Sequence, residues 1–150
     1  MPIRSKEFYY RTTVRWTAGK RGEITCEDPA KPTMEVATPP EFKGEPGYWT
    51  PEDLFVASLN ACLMTTFFAV AAREELEYLA YESSAEGLLA RAEGRPMAFT
   101  RVTLRPFITL PADGDPDLAR VVLEMAEQGC MISNSVRCQV LLEPQFIVRA

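Results

Sequence analysis

The chain has 150 residues, of which 47% are hydrophobic and 25% charged, and its formal net charge is −5. This composition is typical of a folded globular protein and excludes a disordered or collagen-like chain, and the length predicts a single domain over residues 1–150. The acidic balance argues against a nucleic-acid partner, because such binding depends on Lys and Arg. Histidine is absent, which excludes His-based catalytic triads, His metal ligands and His pH switches.

The N-terminal third predicts a small β-sheet followed by a loop. Aromatic and β-branched residues over 4–17 predict a strand, residues 18–22 a hairpin turn, and residues 23–26 a second short strand. Five prolines and two glycines then fall within 28–47, which predicts a loop with one short strand near 33–37.

The strongest predicted element is a long helix. Thr50 is a good N-cap, Pro51 suits the first helical position, and residues 54–72 contain no charge. A helix that is apolar all round is predicted to be buried on all sides. A membrane span is the alternative reading, and it is weakened by the polar residues within the run, which are Ser58, Asn60, Thr65 and Thr66.

The second half predicts further strands around a second helix. Strands are predicted at 78–91 and 99–110, and a helix with apolar residues at helical spacing ends at Gly129. A short turn or helix at 130–136 and a final strand at 138–148 follow. This order of elements predicts an α+β fold with antiparallel strand pairing.

Four cysteines carry the chemistry that the chain offers, at positions 26, 62, 130 and 138. The N-terminus lacks a basic start followed by an apolar stretch, which argues against a signal peptide and predicts a cytoplasmic protein. Thiols stay reduced there, so a functional pair is more often catalytic or redox-active than structural. No C-x-x-C spacing occurs, which argues against a zinc site. Cys26, beside two acidic residues, is expected to have a raised pKa and to be inert, and Cys138 is expected to be a core or half-exposed strand cysteine.

Cys62 and Cys130 are the two cysteines with a possible reactive role. Cys62 lies within the long predicted helix, as either a small buried hydrophobe or a thiolate. Residues 51–72 contain no Lys or Arg, so a stabilising cation must come from another segment or chain. Lys20 and Arg21 in the hairpin turn are the obvious donors, unless they are simply solvated. Cys130 is either a plain loop cysteine or starts a helical turn whose free N–H groups would lower its pKa.

Two segments resemble one known family. Residues 51–67, PEDLFVASLNACLMTTF, and residues 129–136, GCMISNSV, are similar to the central helix and the second-cysteine segment of the OsmC/Ohr proteins. These are the osmotically inducible and organic hydroperoxide resistance proteins. The separation of 68 residues between Cys62 and Cys130 fits the same pattern, and GKRG at 19–22 lies where that family carries its active-site arginine.

The resemblance implies a fold and an activity. The fold is an OsmC-like α+β domain, with antiparallel sheets around a long buried central helix in an intertwined homodimer with sites at its interface. The activity is that of a peroxiredoxin-like thiol peroxidase, an antioxidant enzyme that reduces organic hydroperoxides during oxidative stress. Cys62 would be the peroxidatic thiolate and Cys130 the resolving thiol. Arg21 would hold the thiolate and polarise the peroxide, and Glu52 would orient Arg21.

The implied reaction needs a peroxide and a dithiol but no cofactor. Cys62 becomes a sulfenic acid, Cys130 condenses with it to a disulfide, and an external dithiol reduces that bond. No metal, organic cofactor, nucleic acid or membrane is expected to take part. A redox-responsive or small-ligand-binding module of the same fold, without significant turnover, is the alternative. Glu52 and Cys62 are ten residues apart, about 15 Å along a helix, so we predict that the active site combines two chains.

Overall fold

The structure is a computed structural model that describes residues 5–149. The chain divides into two compact units, of which the first ends at Leu54 and the second begins at Phe55. The single domain expected from the chain length stays a prediction. Position 4, where the first predicted strand was to begin, and the preceding N-terminal residues lie outside the described residues.

The first unit contains an antiparallel sheet of three strands in the order β1-β2-β3, which are Thr12–Ala18, Arg21–Cys26 and Met34–Ala37. The predicted hairpin turn is confirmed, and Gly19 takes the left-handed conformation there, with φ of 52°. The first strand is shorter than predicted. It starts at Thr12 because Thr12 pairs with the last residue of β2, Cys26, so β2 offers no partner to the residues before it.

The long helix α1 spans Pro51–Arg73, as the sequence predicts. Thr50 caps it by accepting the Asp53 N–H at 3.0 Å, and the Asp53 carboxylate accepts the Thr50 N–H in return at 3.1 Å. This reciprocal pair satisfies two backbone donors that the helix itself cannot satisfy, which fixes where the helix begins.

The second unit contains a mixed sheet of four strands around the longest, β5. The strands β4 to β7 are Ala80–Ala90, Ala98–Leu110, Gln139–Leu142 and Gln145–Val148. β4 pairs with β5 antiparallel, whereas β6 and β7 both run parallel to β5. The α+β class is confirmed. The antiparallel pairing predicted for the end of the chain is wrong. A helix after β5 returns the chain to the end of the sheet where β5 begins, so the strands that follow run parallel to β5.

That returning helix, α2, spans Pro116–Gln128. Its N-cap Asp115 accepts the N–H groups of Asp117 and Leu118 at 2.9 and 3.3 Å, and Gly129 follows its last turn as predicted. The predicted final strand is two strands instead of one. The break between them contains Pro144, which has no N–H to donate to a ladder.

The core of the second unit lies between α1, α2 and β5. Its fully buried side chains include Leu59, Leu63, Phe67, Val102, Leu104, Ile108, Leu110, Val122 and Leu123. Phe67 lies at the centre of an aromatic group, with its ring centroid 5.0 Å from those of Tyr78 and Tyr81. Burial of these residues supplies most of the favourable free energy of folding of this unit.

One face of α1 is exposed. In the single chain the helix is therefore not buried on all sides, as the sequence predicts it to be. The exposed residues recur at helical spacing and form what we call the open stripe, which is Ser58, Ala61, Thr65, Phe68, Ala69 and Ala72. The helix has the length and hydropathy to cross a membrane. Its most apolar stretch of 18 residues has a mean hydropathy of 1.9, and 28% of that stretch is buried. The core helices of soluble proteins meet the same two criteria.

Candidate active site

Cys62 lies in the middle of α1, partly buried within the second unit. Its sulfur is 3.9 Å from the Thr66 hydroxyl, one helical turn further on. The end of α2 packs beside that turn, because a Cβ added at Gly129 would lie 3.7 Å from the Thr66 methyl group. The residue after Gly129 is Cys130, so the fold brings the two cysteines together across 68 residues of sequence.

Cys130 is completely buried at the start of the segment that follows α2. Its N–H donates to the Glu127 carbonyl at 3.2 Å, and its own carbonyl accepts the Asn134 N–H at 3.0 Å. The predicted short turn is confirmed as a 3-10 turn at Ser133–Ser135. The segment therefore holds the Cys130 thiol inward, near the turn of α1 that contains Cys62.

The two thiols have opposite pKa shifts. Burial raises the pKa of Cys62, but hydrogen bonds from the Cys130 thiol, from the Ile132 and Met131 N–H groups and from the Thr66 hydroxyl outweigh it, so the pKa lies below the ordinary thiol value. Burial raises the pKa of Cys130, and the neighbouring Cys62 raises it further. Cys62 is thus the more acidic thiol of the pair and Cys130 the less acidic one.

The lowered pKa expected for Cys130 from a new helical turn is therefore wrong in direction. Free N–H groups do follow Cys130 in this turn, but those of Met131 and Ile132 serve Cys62. The Ser133 N–H and hydroxyl do favour the Cys130 thiolate, and burial outweighs them.

The other two cysteines lie apart from this pair in the fold. Cys26 ends β2 in the first unit, with its sulfur 3.7 Å from the Asp28 carbonyl. Cys138 precedes β6 and packs against the core of the second unit. All four cysteines are free thiols, and the inert role expected for Cys26 stays a prediction.

Arg21, the predicted cation, begins β2 in the first unit. Its Nη1 donates to the Glu45 carboxylate at 2.9 Å and to the Tyr48 hydroxyl at 2.6 Å, and the guanidinium lies 5.3 Å from the centre of the Tyr48 ring. The neighbouring Lys20 instead donates to the Lys43 carbonyl at 3.2 Å. Sequence reasoning missed Glu45 and Tyr48, because they lie in the proline-rich loop, where no periodic pattern marks a residue.

Glu52, the predicted partner of Arg21, lies in the first turn of α1. Its Oε2 atom is buried and accepts no hydrogen bond from any residue within 5–149. In that part of the chain Arg21 is paired with Glu45 and Tyr48 and not with Glu52. The roles expected for Arg21 and Glu52 stay predictions.

The comparison with protein families identifies the chain. The model of the OsmC-like proteins matches residues 44–144, a range that includes both site cysteines. The chain belongs to the OsmC-like protein family. This confirms the resemblance found in the sequence. The OsmC-like chain is also 25% identical over 135 residues to the uncharacterised protein YmaD of Bacillus subtilis, covering 87% of this chain and 89% of that one.

Solved structures share the fold of this OsmC-like chain. An OsmC-like protein of unknown function from Vibrio cholerae matches with a TM-score of 0.82 and 21% identity, over 92% of this chain and 99% of that one. An organic hydroperoxide resistance protein from Legionella pneumophila matches with a TM-score of 0.75 and 21% identity, over 95% and 99%. The organic hydroperoxide resistance protein OhrB of Bacillus subtilis matches with a TM-score of 0.66 and 23% identity, over 93% of this chain and 98% of that one.

The reactive groups at the site of this OsmC-like chain are the two thiols. Among residues 5–149, no group of three or more Cys, Asp or Glu side chains is arranged to hold a metal ion. The chemistry available to the second unit is therefore that of two neighbouring thiols, of which Cys62 is the more acidic.

Proposed function

We propose that this protein is a cytoplasmic, cysteine-based peroxidase that reduces organic hydroperoxides to alcohols. The observation that carries the proposal is the packing of the Cys62 turn of α1 beside the buried Cys130, together with the lowered pKa of Cys62. A thiolate is the nucleophile that attacks a peroxide, and a neighbouring thiol is what traps its oxidised form. Membership of a family that includes hydroperoxide resistance proteins supports the same reaction.

The reaction uses the two thiols in sequence. The Cys62 thiolate attacks the terminal peroxide oxygen and the O–O bond breaks, which gives a sulfenic acid on Cys62 and an alkoxide that takes a proton to become the alcohol. The Cys130 sulfur then attacks the Cys62 sulfur, which releases water and forms a disulfide. An external dithiol reduces this disulfide by exchange and restores both thiols.

Arg21 and Glu52 are proposed to complete the site. A guanidinium suits the role, because its forked donors can contact a thiolate and a peroxide oxygen together. Arg21 uses Nη1 for Glu45 and Tyr48, and its Nη2 and Nε atoms make no hydrogen bond within residues 5–149. Glu52 has a buried carboxylate oxygen without a donor in the same part of the chain, and a buried acceptor of this kind is costly unless a partner arrives.

We propose that a second copy of the chain covers the apolar surfaces that the single chain leaves exposed. The open stripe of α1 lies within a run that has no charge from residue 54 to residue 72. In the first unit, Val14 and Trp16 of β1 are 71% and 75% exposed. Large apolar surfaces of this kind mark interaction sites more often than free surface. A homodimer that covers these surfaces would also allow the two-chain active site predicted from the sequence.

The direct test is a count of free thiols before and after one equivalent of cumene hydroperoxide, with mass mapping of the linked cysteines. We expect the loss of two thiols, a disulfide between Cys62 and Cys130, release of one equivalent of alcohol, and repeated turnover with an added dithiol. Cys130→Ala should stop at the sulfenic acid, whereas the matched control Cys138→Ala should behave as wild type. A disulfide that uses Cys138, or no thiol loss, would contradict the proposal.

A redox-responsive or small-ligand-binding module without turnover is the second candidate. It is favoured by the pairing of Arg21 with Glu45 and Tyr48, because an arginine held there does not activate a peroxide elsewhere. Such a protein would lose two thiols to one equivalent of hydroperoxide and then stop, even with excess dithiol. The number of alcohol molecules released per chain separates the two candidates.

A further inference from the structure

Arg21 is held by two side chains from the loop between β3 and α1. Its Nη1 atom donates to the Glu45 carboxylate at 2.9 Å and to the Tyr48 hydroxyl at 2.6 Å, and the guanidinium lies 5.3 Å from the centre of the Tyr48 ring. A terminal nitrogen of a guanidinium carries two hydrogens. Both hydrogens of Nη1 are therefore used, one for each oxygen.

The other edge of the guanidinium stays available. The Nε and Nη2 atoms make no hydrogen bond within residues 5–149, and the Arg21 side chain is 34% exposed. The hydrogens on Nε and Nη2 point in the same direction and form a fork that can contact an anion at two points. Glu45 and Tyr48 thus hold the guanidinium by Nη1 alone and leave this fork intact.

The backbone of Arg21 is fixed on both sides by the first sheet. Arg21 is paired with Ala18 of β1 and with Ala37 of β3. The hairpin turn before it is closed by the Trp16 indole, which donates to the Gly19 carbonyl at 2.9 Å. The long side chain is therefore the part of Arg21 that still needs to be held in place.

The loop that carries the two acceptors is fixed to the same hairpin. The Thr38 N–H donates to the Lys20 carbonyl at 3.1 Å, and the Lys20 ammonium donates to the Lys43 carbonyl at 3.2 Å. At Gly44 the loop folds so tightly that an added Cβ would overlap the Thr38 carbonyl oxygen. The acceptors and the arginine are therefore presented by two segments that are joined through the main chain.

The contacts on Arg21 suit orientation better than stability. The Glu45 side chain is 49% exposed, and ion pairs at such positions contribute little to the free energy of folding. An unrestrained arginine side chain, in contrast, samples many rotamers. A reaction that needs the guanidinium in one place is slowed by that freedom. The two acceptors should therefore affect a reaction rate far more than they affect unfolding.

We infer that Tyr48 and Glu45 are the positioning residues of Arg21, which hold its Nε–Nη2 fork ready for the thiolate and the peroxide. This inference rests on the proposed function. Both residues act through Arg21 and not on the reacting atoms. They give Arg21 two partners besides Glu52, the residue to which the family resemblance assigns this task.

The test compares variants that each remove one contact. Tyr48→Phe keeps the ring and loses the hydroxyl, whereas Glu45→Gln keeps the shape and loses the charge. Tyr10→Phe and Glu41→Gln are the matched controls, because both residues are exposed and neither is hydrogen-bonded to Arg21. Glu45→Asp, which keeps a carboxylate on a shorter side chain, is the conservative variant.

The first measurement is the rate of alcohol release after the reduced protein is mixed with one equivalent of cumene hydroperoxide. We expect Tyr48→Phe and Glu45→Gln each to lower this rate by about 10-fold, and Glu45→Asp to restore part of it. The two control variants should match wild type. The urea midpoints of all these variants should also match that of wild type, because exposed contacts of this kind are weak.

The second measurement separates positioning from a merely structural role. Tyr48→Phe and Glu45→Gln are each repeated in the Arg21→Ala background. A positioning residue acts only through the guanidinium, so neither change should lower the rate further once the guanidinium is gone. A structural role would lower the rate in both backgrounds. The slow rate of Arg21→Ala stays measurable, because a thiolate is itself a nucleophile.

The outcomes distinguish failure of the inference from failure of the proposed function. If Arg21→Ala is slow but Tyr48→Phe and Glu45→Gln match wild type, or lower the rate equally in the Arg21→Ala background, the inference is wrong and the peroxidase proposal stands. A faster rate in either variant would show that the contacts hold the arginine away from its target, which also overturns the inference. If Arg21→Ala matches wild type, the role proposed for Arg21 fails and the inference fails with it. If wild type releases no alcohol, the proposed function itself fails.

Discussion

The two sheets of this protein differ in how they treat their apolar side chains. In the second unit, β5 buries Val102, Leu104 and Ile108 completely against the two helices. In the first unit, β1 has Val14 and Trp16 in comparable strand positions, and both are more than 70% exposed. The second unit therefore has its own hydrophobic core, whereas the first unit carries apolar surface that a single chain leaves uncovered.

This difference shows where the stability of the single chain resides. Burial of apolar surface is the main favourable term in folding, so the second unit should respond strongly to changes in its core. The first sheet should respond weakly in a monomer and more strongly in an assembly that covers it. Changes in the two sheets can therefore reveal whether a second copy is present, without a structure of the assembly.

The largest expected effect is that of Phe67→Ala. This ring is completely buried among Tyr78 and Tyr81, so its removal leaves a cavity at the centre of the second unit. We expect the free energy of unfolding to fall by about 3–5 kcal/mol, measured by urea denaturation. A loss below about 1 kcal/mol would show that the core is not where the structure places it.

The next effect concerns the open stripe of α1. Ala61→Arg puts a charge in the middle of this stripe, which costs little in a monomer but is expensive if a second chain covers the helix. We expect the dissociation constant of the proposed dimer to rise about 100-fold or more, measured by analytical ultracentrifugation. Ala112→Arg is the matched control, since Ala112 is also exposed but lies in a loop. Equal association of both variants would exclude the stripe as the interface.

A smaller effect is expected for Trp16→Ala in the first sheet. The indole is 75% exposed and donates to the Gly19 carbonyl at 2.9 Å. In dilute protein its removal should cost about 1 kcal/mol or less. If a second copy covers this sheet, the cost should grow with protein concentration, because the dimer stabilises only the folded state. A cost that is independent of concentration would place the interface elsewhere.

The sequence predicted those parts of the molecule whose signals are local. Thr50, Pro51 and the uncharged run fixed α1 almost to the residue, and Gly129 marked the end of α2. The cysteine motifs and their spacing identified the family. These predictions succeed because caps, turns and helical spacing act over a few residues.

The missed features depend on contacts that are distant in sequence. The parallel pairing of β6 and β7 with β5 is set by the path through α2 and not by any strand pattern. The raised pKa of Cys130 follows from its burial by the packed core, which no local motif reports. Glu45 and Tyr48 lie in a proline-rich loop, where the bond to Arg21 depends on how that loop folds.

The smallest effect at neutral pH is expected for Tyr81→Phe, in the well-packed unit. The Tyr81 hydroxyl is buried and makes no well-formed hydrogen bond within residues 5–149. Removing an unpartnered buried hydroxyl while keeping the ring should change the free energy of unfolding by less than about 0.5 kcal/mol. A loss above 1 kcal/mol would mean that the hydroxyl has a partner, such as an ordered water.

The same variant should diverge from wild type in alkali. Burial raises the pKa of Tyr81 to about 12, and the nearby Ser83 opposes this only in part. Between the unfolded pKa of about 10 and this value, the folded state binds more protons than the unfolded state. Wild type therefore loses stability as pH rises through that range, and Tyr81→Phe does not have this loss. Urea midpoints for the two proteins at pH 8 and pH 11 should show Tyr81→Phe gaining on wild type only at the higher pH, because core packing alone would give the same difference at both.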